Sequence, residues 1–227
     1  RSDIANYLVI LAATGFTVVN VDYTSAPEAT YPTPLRQLAR ALEFLTREGT
    51  RLGIDPGRIV LAGDSAGAQI AAQTAALVAN PDYARRVGIT TEVSPTQIAG
   101  VLLFCGVYDI TAMGQGGGLL GWFVNTTGWA YSCNRNWRTA PDFATINFTP
   151  YLTPAFPPAF ISAGNADPLG PQSVALADTL RDGGHRVDTL FFPPDHAPPL
   201  GHEYQFDLDG EAGMLAVRRI ADWLNTL

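Results

Sequence analysis

The sequence predicts an α/β fold, a mostly parallel sheet with helices on both faces, interrupted by one insertion. Three observations carry this reading. Short apolar runs rich in β-branched and aromatic residues alternate with stretches of helical periodicity. Pro and Gly punctuate the joints between them. The alternation lapses once, over about fifty residues at 110–157, and then resumes. A chain of 227 residues is long for one average domain and short for two, and 47% hydrophobic residues suffice for a substantial core.

Ser2 to Thr14 place Ile4, Tyr7, Leu8 and Leu11 on one helical face, with Ser2 or Asp3 as N-cap and Gly15 as the stop. Phe16 to Tyr23 (FTVVNVDY) reads as a buried parallel strand. A proline-rich loop leads to a helix marked by Leu35, Leu38, Leu42 and Leu45. Ile59 to Ala62 is the next strand, the alanine-rich run Ala66 to Ala79 the next helix, and Gln97 to Tyr108 a further strand ending at Asp109. After the insertion come a strand at Ala159 to Ala163, a helix through Val174, Ala177 and Leu180 closed by Gly183-Gly184, and a strand at Val187 to Phe192. The last helix, about Glu211 to Leu227, turns Ile220, Trp223, Leu224 and Leu227 inward. The resulting division is a core of 1–109 and 158–227 around an insertion of 110–157.

Composition excludes several function classes. A net charge of −7 with pI near 4.8 and no basic cluster argues against a nucleic-acid partner or stable association with an anionic membrane. All 14 cationic residues are Arg, so a P-loop lysine, a pyridoxal Schiff base and a Ser-Lys dyad are excluded together. The Gly114 to Gly121 tract (GQGGGLLG) therefore resembles a phosphate loop only superficially. Cys105 and Cys133 form neither a disulfide framework nor a zinc spacing, and both read as reduced, buried thiols. No run reaches membrane-spanning length and no signal peptide is visible, which reads as cytoplasmic.

Chemistry concentrates at Gly63-Asp64-Ser65-Ala66-Gly67. The pattern G-x-S-x-G is expected by chance only about 0.06 times in this composition, and here it joins a strand to a helix. A turn that sharp excludes Cβ atoms at Gly63 and Gly67 and leaves Ser65 exposed at its tip, near a helix N-terminus. A serine hydroxyl needs a base in reach and an acid to orient that base. In a parallel sheet both are sought in loops beyond the carboxyl ends of strands. Asp167 meets the requirement for the acid, with Asp109 as runner-up; Asp22 and Asp64 read as structural. Of three histidines, His185 lies at the amino end of a strand, while His196 and His202 share the correct loop; His202, nearer the final helix, is preferred. The order Ser65, Asp167, His202 is that of α/β-hydrolases.

GDSAG at Gly63 to Gly67, VDYTSAPE at Val21 to Glu28, DPL at Asp167 and a histidine-x-x-phenylalanine-like ending at His202 together resemble the hormone-sensitive-lipase-like branch of the α/β-hydrolase superfamily. The likeness runs through nearly the whole chain. It implies an α/β-hydrolase fold with a cap or lid insertion, Ser65 as nucleophile, Asp167 as orienting acid and His202 as base. It also implies a carboxylic-ester hydrolase acting on small ester substrates, with no metal or organic cofactor and with pairing of two copies through an edge strand. The Ala66 N–H is expected to face the oxyanion. Trp122, Phe123 and Trp129 are expected to line an acyl pocket, unless, with Tyr131 and Trp137, they pack against their own segment. The sequence departs from the family in Thr24-Ser25 of the Val21 to Glu28 stretch, in extra prolines before His202, and in lacking the histidine-triglycine oxyanion loop. Arg1 falls just beyond where that loop would lie, so first strands and loop are expected to precede it; Gln115 to Gly118 (QGGG) is a poor substitute. The competing readings are a ligand-binding protein on the same fold, whose relatives tend to lose the histidine, and an amidase or peptidase using the same triad.

Overall fold

The computed structural model describes residues 4–111, 113 and 118–227. Four strands, β1 (Ile59–Asp64), β2 (Ile98–Phe104), β3 (Ala159–Ala163) and β4 (Val187–Phe191), form one sheet in which every pair is parallel and spatial order repeats chain order. The helices are α1 (Ala5–Ala13), α2 (Thr33–Leu52), α3 (Ala66–Ala79), α4 (Pro81–Val87), α5 (Gly118–Ser132), α6 (Pro141–Ala144), α7 (Gly170–Asp182) and α8 (Glu211–Leu224). Successive strand residues point to opposite faces, and each face has its own core. Val101, Leu103, Ala159 and Ile161 pack with α2, α3 and α7, whereas Leu102, Phe104, Phe160 and Leu190 pack with α1 and α8. Helices therefore cover both faces, as the sequence predicts. Among the described residues no helix is long and apolar enough to cross a membrane.

Two readings need correction. Residues 16–23 are not a strand of the sheet. Phe16, Val18, Val21 and Tyr23 are half-buried and Thr17, Val19, Asn20 and Asp22 exposed, so the alternation slips between Val19 and Asn20 and no ladder forms. Composition favours the pleated conformation, but strand pairing is a tertiary outcome. What pins the end of this stretch is a side chain instead: Gln37 on α2 accepts from Thr24 N (2.9 Å) and donates to Thr24 Oγ1 (2.9 Å). In addition, Cys133 is exposed, so only Cys105 is a buried thiol. Ser2 and Asp3, the expected caps of α1, lie outside the described residues; Ile4 occupies the N-cap position.

The segment 110–157 contains α5, α6 and two short 3₁₀ turns. The 15-residue α5 was not legible in its glycine, asparagine and threonine content. Val124, Trp137, Ala140, Phe143 and Ile146 form a third core, separate from the two that flank the sheet. Buried amides bind this segment to α3. Gln73, fully buried, has its Nε2 within donating distance of Tyr31 Oη (2.8 Å), Tyr83 Oη (2.6 Å) and the Thr145 carbonyl (3.0 Å), three acceptors for its two hydrogens, while Gln69 donates to Gln73 Oε1 (2.6 Å). An interior polar group without a partner costs about 1–3 kcal/mol. Gln73→Leu removes the centre of this network while Tyr83 Oη keeps the Thr145 carbonyl and Tyr31 Oη keeps Thr145 Oγ1, and should lower the free energy of unfolding by about 1–3 kcal/mol, as read from urea denaturation.

Candidate active site

Parallel strands in sequential order bring the carboxyl ends of β1, β2 and β3 side by side. The register pairs Asp64 with Phe104 and Phe104 with Ser162, so the residues that leave these strands emerge along one edge. Ser65 leaves β1 and caps α3 with φ 52° and ψ −119°, a conformation that non-glycine residues rarely hold. The backbone is forced there because β1 runs tightly against the first turn of α3: a Cβ on Gly63 would lie 2.2 Å from the Gly67 carbonyl oxygen. Gly67 is different from what its place in the motif implies. A Cβ there would meet nothing within 4 Å, so only one glycine of the pair is demanded by close contact.

Asp167 sits in the loop after β3, its side chain shut from solvent. Its Oδ1 accepts from Leu169 N (2.8 Å), and both carboxylate oxygens lie 3.1 Å from His202 Nδ1. A carboxylate only accepts, so Nδ1 carries the proton and leaves Nε2 as acceptor. Ser65 Oγ is 3.0 Å from that Nε2. The three residues singled out in the sequence thus form one continuous chain of hydrogen bonds.

The loop carrying His202 is held against the loop carrying Asp167 by backbone contacts that sequence reasoning missed. A Cβ on Gly164 would lie 2.2 Å from the Leu200 carbonyl oxygen. Ala166 N donates to that same carbonyl (2.9 Å), and Leu200 N donates to Asn165 Oδ1 (2.9 Å). The available signal was a glycine directly after a strand, Gly164 following β3.

The alternatives fall elsewhere. His185 lies edge-on to Phe156, and His196 packs on Phe192 with its Nδ1 3.1 Å from the Pro198 carbonyl. Asp109 accepts from Thr111 and Asn147. Ala66 is exposed as the first residue of α3, where helix geometry provides no internal acceptor for its N–H. Gln115 to Gly117 lie outside the described residues. Trp122, Phe123 and Trp129, expected to line an acyl pocket, are 63%, 59% and 45% exposed on α5. On α5 it is Gly121, Val124 and Gly128 that face inward. The Trp137 ring lies so close to Gly128 that a Cβ there would be 2.4 Å from it, and the large residues are turned outward. Tyr131 and Trp137 pack on Phe143 within their own segment.

Two open hollows of about 500 and 450 Å³ lie near the N-terminus of α8 and behind the Asp167 loop; neither is lined by Ser65 or His202. Among the described residues, Cys105, Asp167 and His202 are the donors close enough to share a metal ion, within 4.8 Å of one another. Cys105 and Asp167 are buried, however, and both His202 nitrogens already face Asp167 and Ser65.

A second carboxyl pair borders the histidine. Burial, then hydrogen bonding to and repulsion from the Glu203 carboxyl, push Asp64 up from 3.8 to about 6. Glu203 Oε1 is 3.9 Å from His202 Nε2. A carboxyl raised on folding stabilises the folded chain below its unfolded value, and that contribution is lost as pH rises through the folded value. Stability contributed by Asp64 should accordingly disappear between about pH 4 and pH 6, and Asp64→Asn should flatten this part of the urea-denaturation profile. For the turn itself, Gly63→Ala should lower Tm by on the order of 10 °C while Gly67→Ala leaves it within about 2 °C.

A family profile describing the alpha/beta hydrolase fold matches residues 5–195. The chain belongs to that family, in keeping with its resemblance to the hormone-sensitive-lipase-like branch. Among solved structures, an inhibited esterase B from Lactobacillus rhamnosis is 21% identical, with a TM-score of 0.81 over 97% of this chain and 71% of that one. A Pyrobaculum calidifontis esterase is 23% identical (TM-score 0.76; 98% and 70%), and carboxyl esterase 2 from Tuber melanosporum is 19% identical (TM-score 0.75; 99% and 72%).

Proposed function

We propose that this chain is a serine carboxylic-ester hydrolase that cleaves short-chain or aryl esters through an acyl-enzyme. The observation that carries the reading is the unbroken relay from Ser65 Oγ through His202 to Asp167, at 3.0 and 3.1 Å. His202 Nε2 takes the Ser65 proton as the oxygen attacks the ester carbonyl, and Asp167 holds the ring in the required tautomer. The Ala66 N–H, at the positive end of α3, supports the developing oxyanion. Collapse of the tetrahedral species expels the alcohol, protonated by His202. Water then attacks the acyl carbonyl with His202 as base, and the acid leaves from Ser65.

Residues 110–157 are assigned as the cap of this site, and the esterase names of the similar structures favour ester over amide substrates. A His202 placed to deprotonate Ser65 favours an enzyme over a binding protein on the same fold. Hydrolysis of p-nitrophenyl butyrate, combined with fluorophosphonate labelling mapped by mass spectrometry, tests the reading. Wild type should turn over and carry the label on Ser65. Ser65→Ala should lose both, and Asp167→Asn should lose on the order of 10⁴-fold in kcat. A folded wild type that neither turns over nor labels would refute the assignment.

A further inference from the structure

Cys105 is the residue that leaves β2, the strand between the one that delivers Ser65 and the one that delivers Asp167. Its N–H continues the ladder to Ser162 O (2.9 Å), as Ser65 N continues it to Phe104 O (2.8 Å). Like Ser65 it is held at a positive φ, 53°. A left-handed conformation at a non-glycine residue is unfavourable and persists only where surroundings impose it. Here the side chain is fully buried beneath the histidine loop. Its Sγ accepts from the Glu203 N–H (3.4 Å) and donates to Gln205 Oε1 (3.7 Å). Glu203 caps the 3₁₀ turn Tyr204–Phe206 that follows His202, and Gln205, fully buried, lies within it. The same sulfur, an Asp167 carboxylate oxygen and a His202 ring nitrogen lie within 4.8 Å of one another.

We infer that Cys105 is a positioning residue for the reaction: its neutral thiol fixes the backbone on the C-terminal side of His202, so that the imidazole meets Asp167 and Ser65 together. This rests on the esterase reading of the site. Sulfur suits the task because its longer bonds span gaps of 3.4–3.7 Å that a hydroxyl closes less well. Burial, with the Asp167 charge acting in the same direction, pushes the thiol up to about 12, so it keeps its proton and can donate and accept at once. The thiol is not a nucleophile here, since that role requires the thiolate.

The test compares Cys105→Ala, Cys105→Gly and Cys105→Ser in the full chain. Glycine is at ease at φ 53° and gives a second variant without the thiol should the alanine variant fail to fold. Loss of the thiol should reduce kcat for p-nitrophenyl butyrate by on the order of 10- to 100-fold with KM within about twofold, and slow fluorophosphonate labelling in parallel. Serine, which retains a donor and an acceptor but reaches less far, should recover part of the loss. The low-field proton resonance of the His202 to Asp167 hydrogen bond should be present in wild type and the serine variant and broaden or vanish without the thiol. Unchanged kcat and labelling in the alanine or glycine variant would overturn the inference, as would a loss confined to KM or a loss with the resonance intact. If wild type neither turns over nor labels, the esterase reading falls, and the resonance still decides whether the thiol positions His202.

Discussion

The tight passage of β1 against the first turn of α3 at Gly63 is the constraint from which the rest of the site follows. With backbone against backbone, the chain has no relaxed route from strand to helix, and Ser65 takes up the difference in a conformation that lifts its hydroxyl off the sheet edge. Once Ser65 is fixed there, Asp167 and His202 must come to it. The parallel sheet places the Asp167 loop two strands away, and the loop after β4 folds back to bring in the histidine. A second close passage, Gly164 against Leu200 and Gly201, locks that return. Two glycines at or near the ends of strands thus set the distance between three loops distant in sequence.

The electrostatic setting is lopsided. His202 meets the buried Asp167 through Nδ1 and has Glu203, which borders Asp64, beyond its other nitrogen. Carboxyl groups therefore crowd the ring, while the thiol under the loop keeps its proton and adds no charge.

Much of this was legible in the sequence because it is local. The strand, turn and helix around Ser65, the exact span of β3 and the choice of His202 over His185 follow from short-range patterns and from which end of a strand a loop adorns. What was illegible is relational. Phe16 to Tyr23 has the composition of a strand, but pairing depends on another backbone and not on its own residues. The aromatic residues of 110–157 could be counted but not faced, since the buried stripe of α5 is set by the small residues Gly121 and Gly128, with Trp137 against the latter. Cys105 reads from the sequence as a buried thiol and nothing more, because two cysteines without disulfide or zinc spacing say nothing of their neighbours; its meaning comes from standing between two other strand ends.

The helix behind Ser65 is buried on nearly every side from Ala68 to Ala79, and much of that surface is alanine. Small side chains let it lie close to β1 and β2, and they leave no room for enlargement, since an added methylene in a filled interior displaces its neighbours. Enlargement from behind Ser65 therefore disturbs Ser65 itself. Residues 110–157, by contrast, have a core of their own and can be rebuilt while Ser65, His202 and Asp167 stay in register.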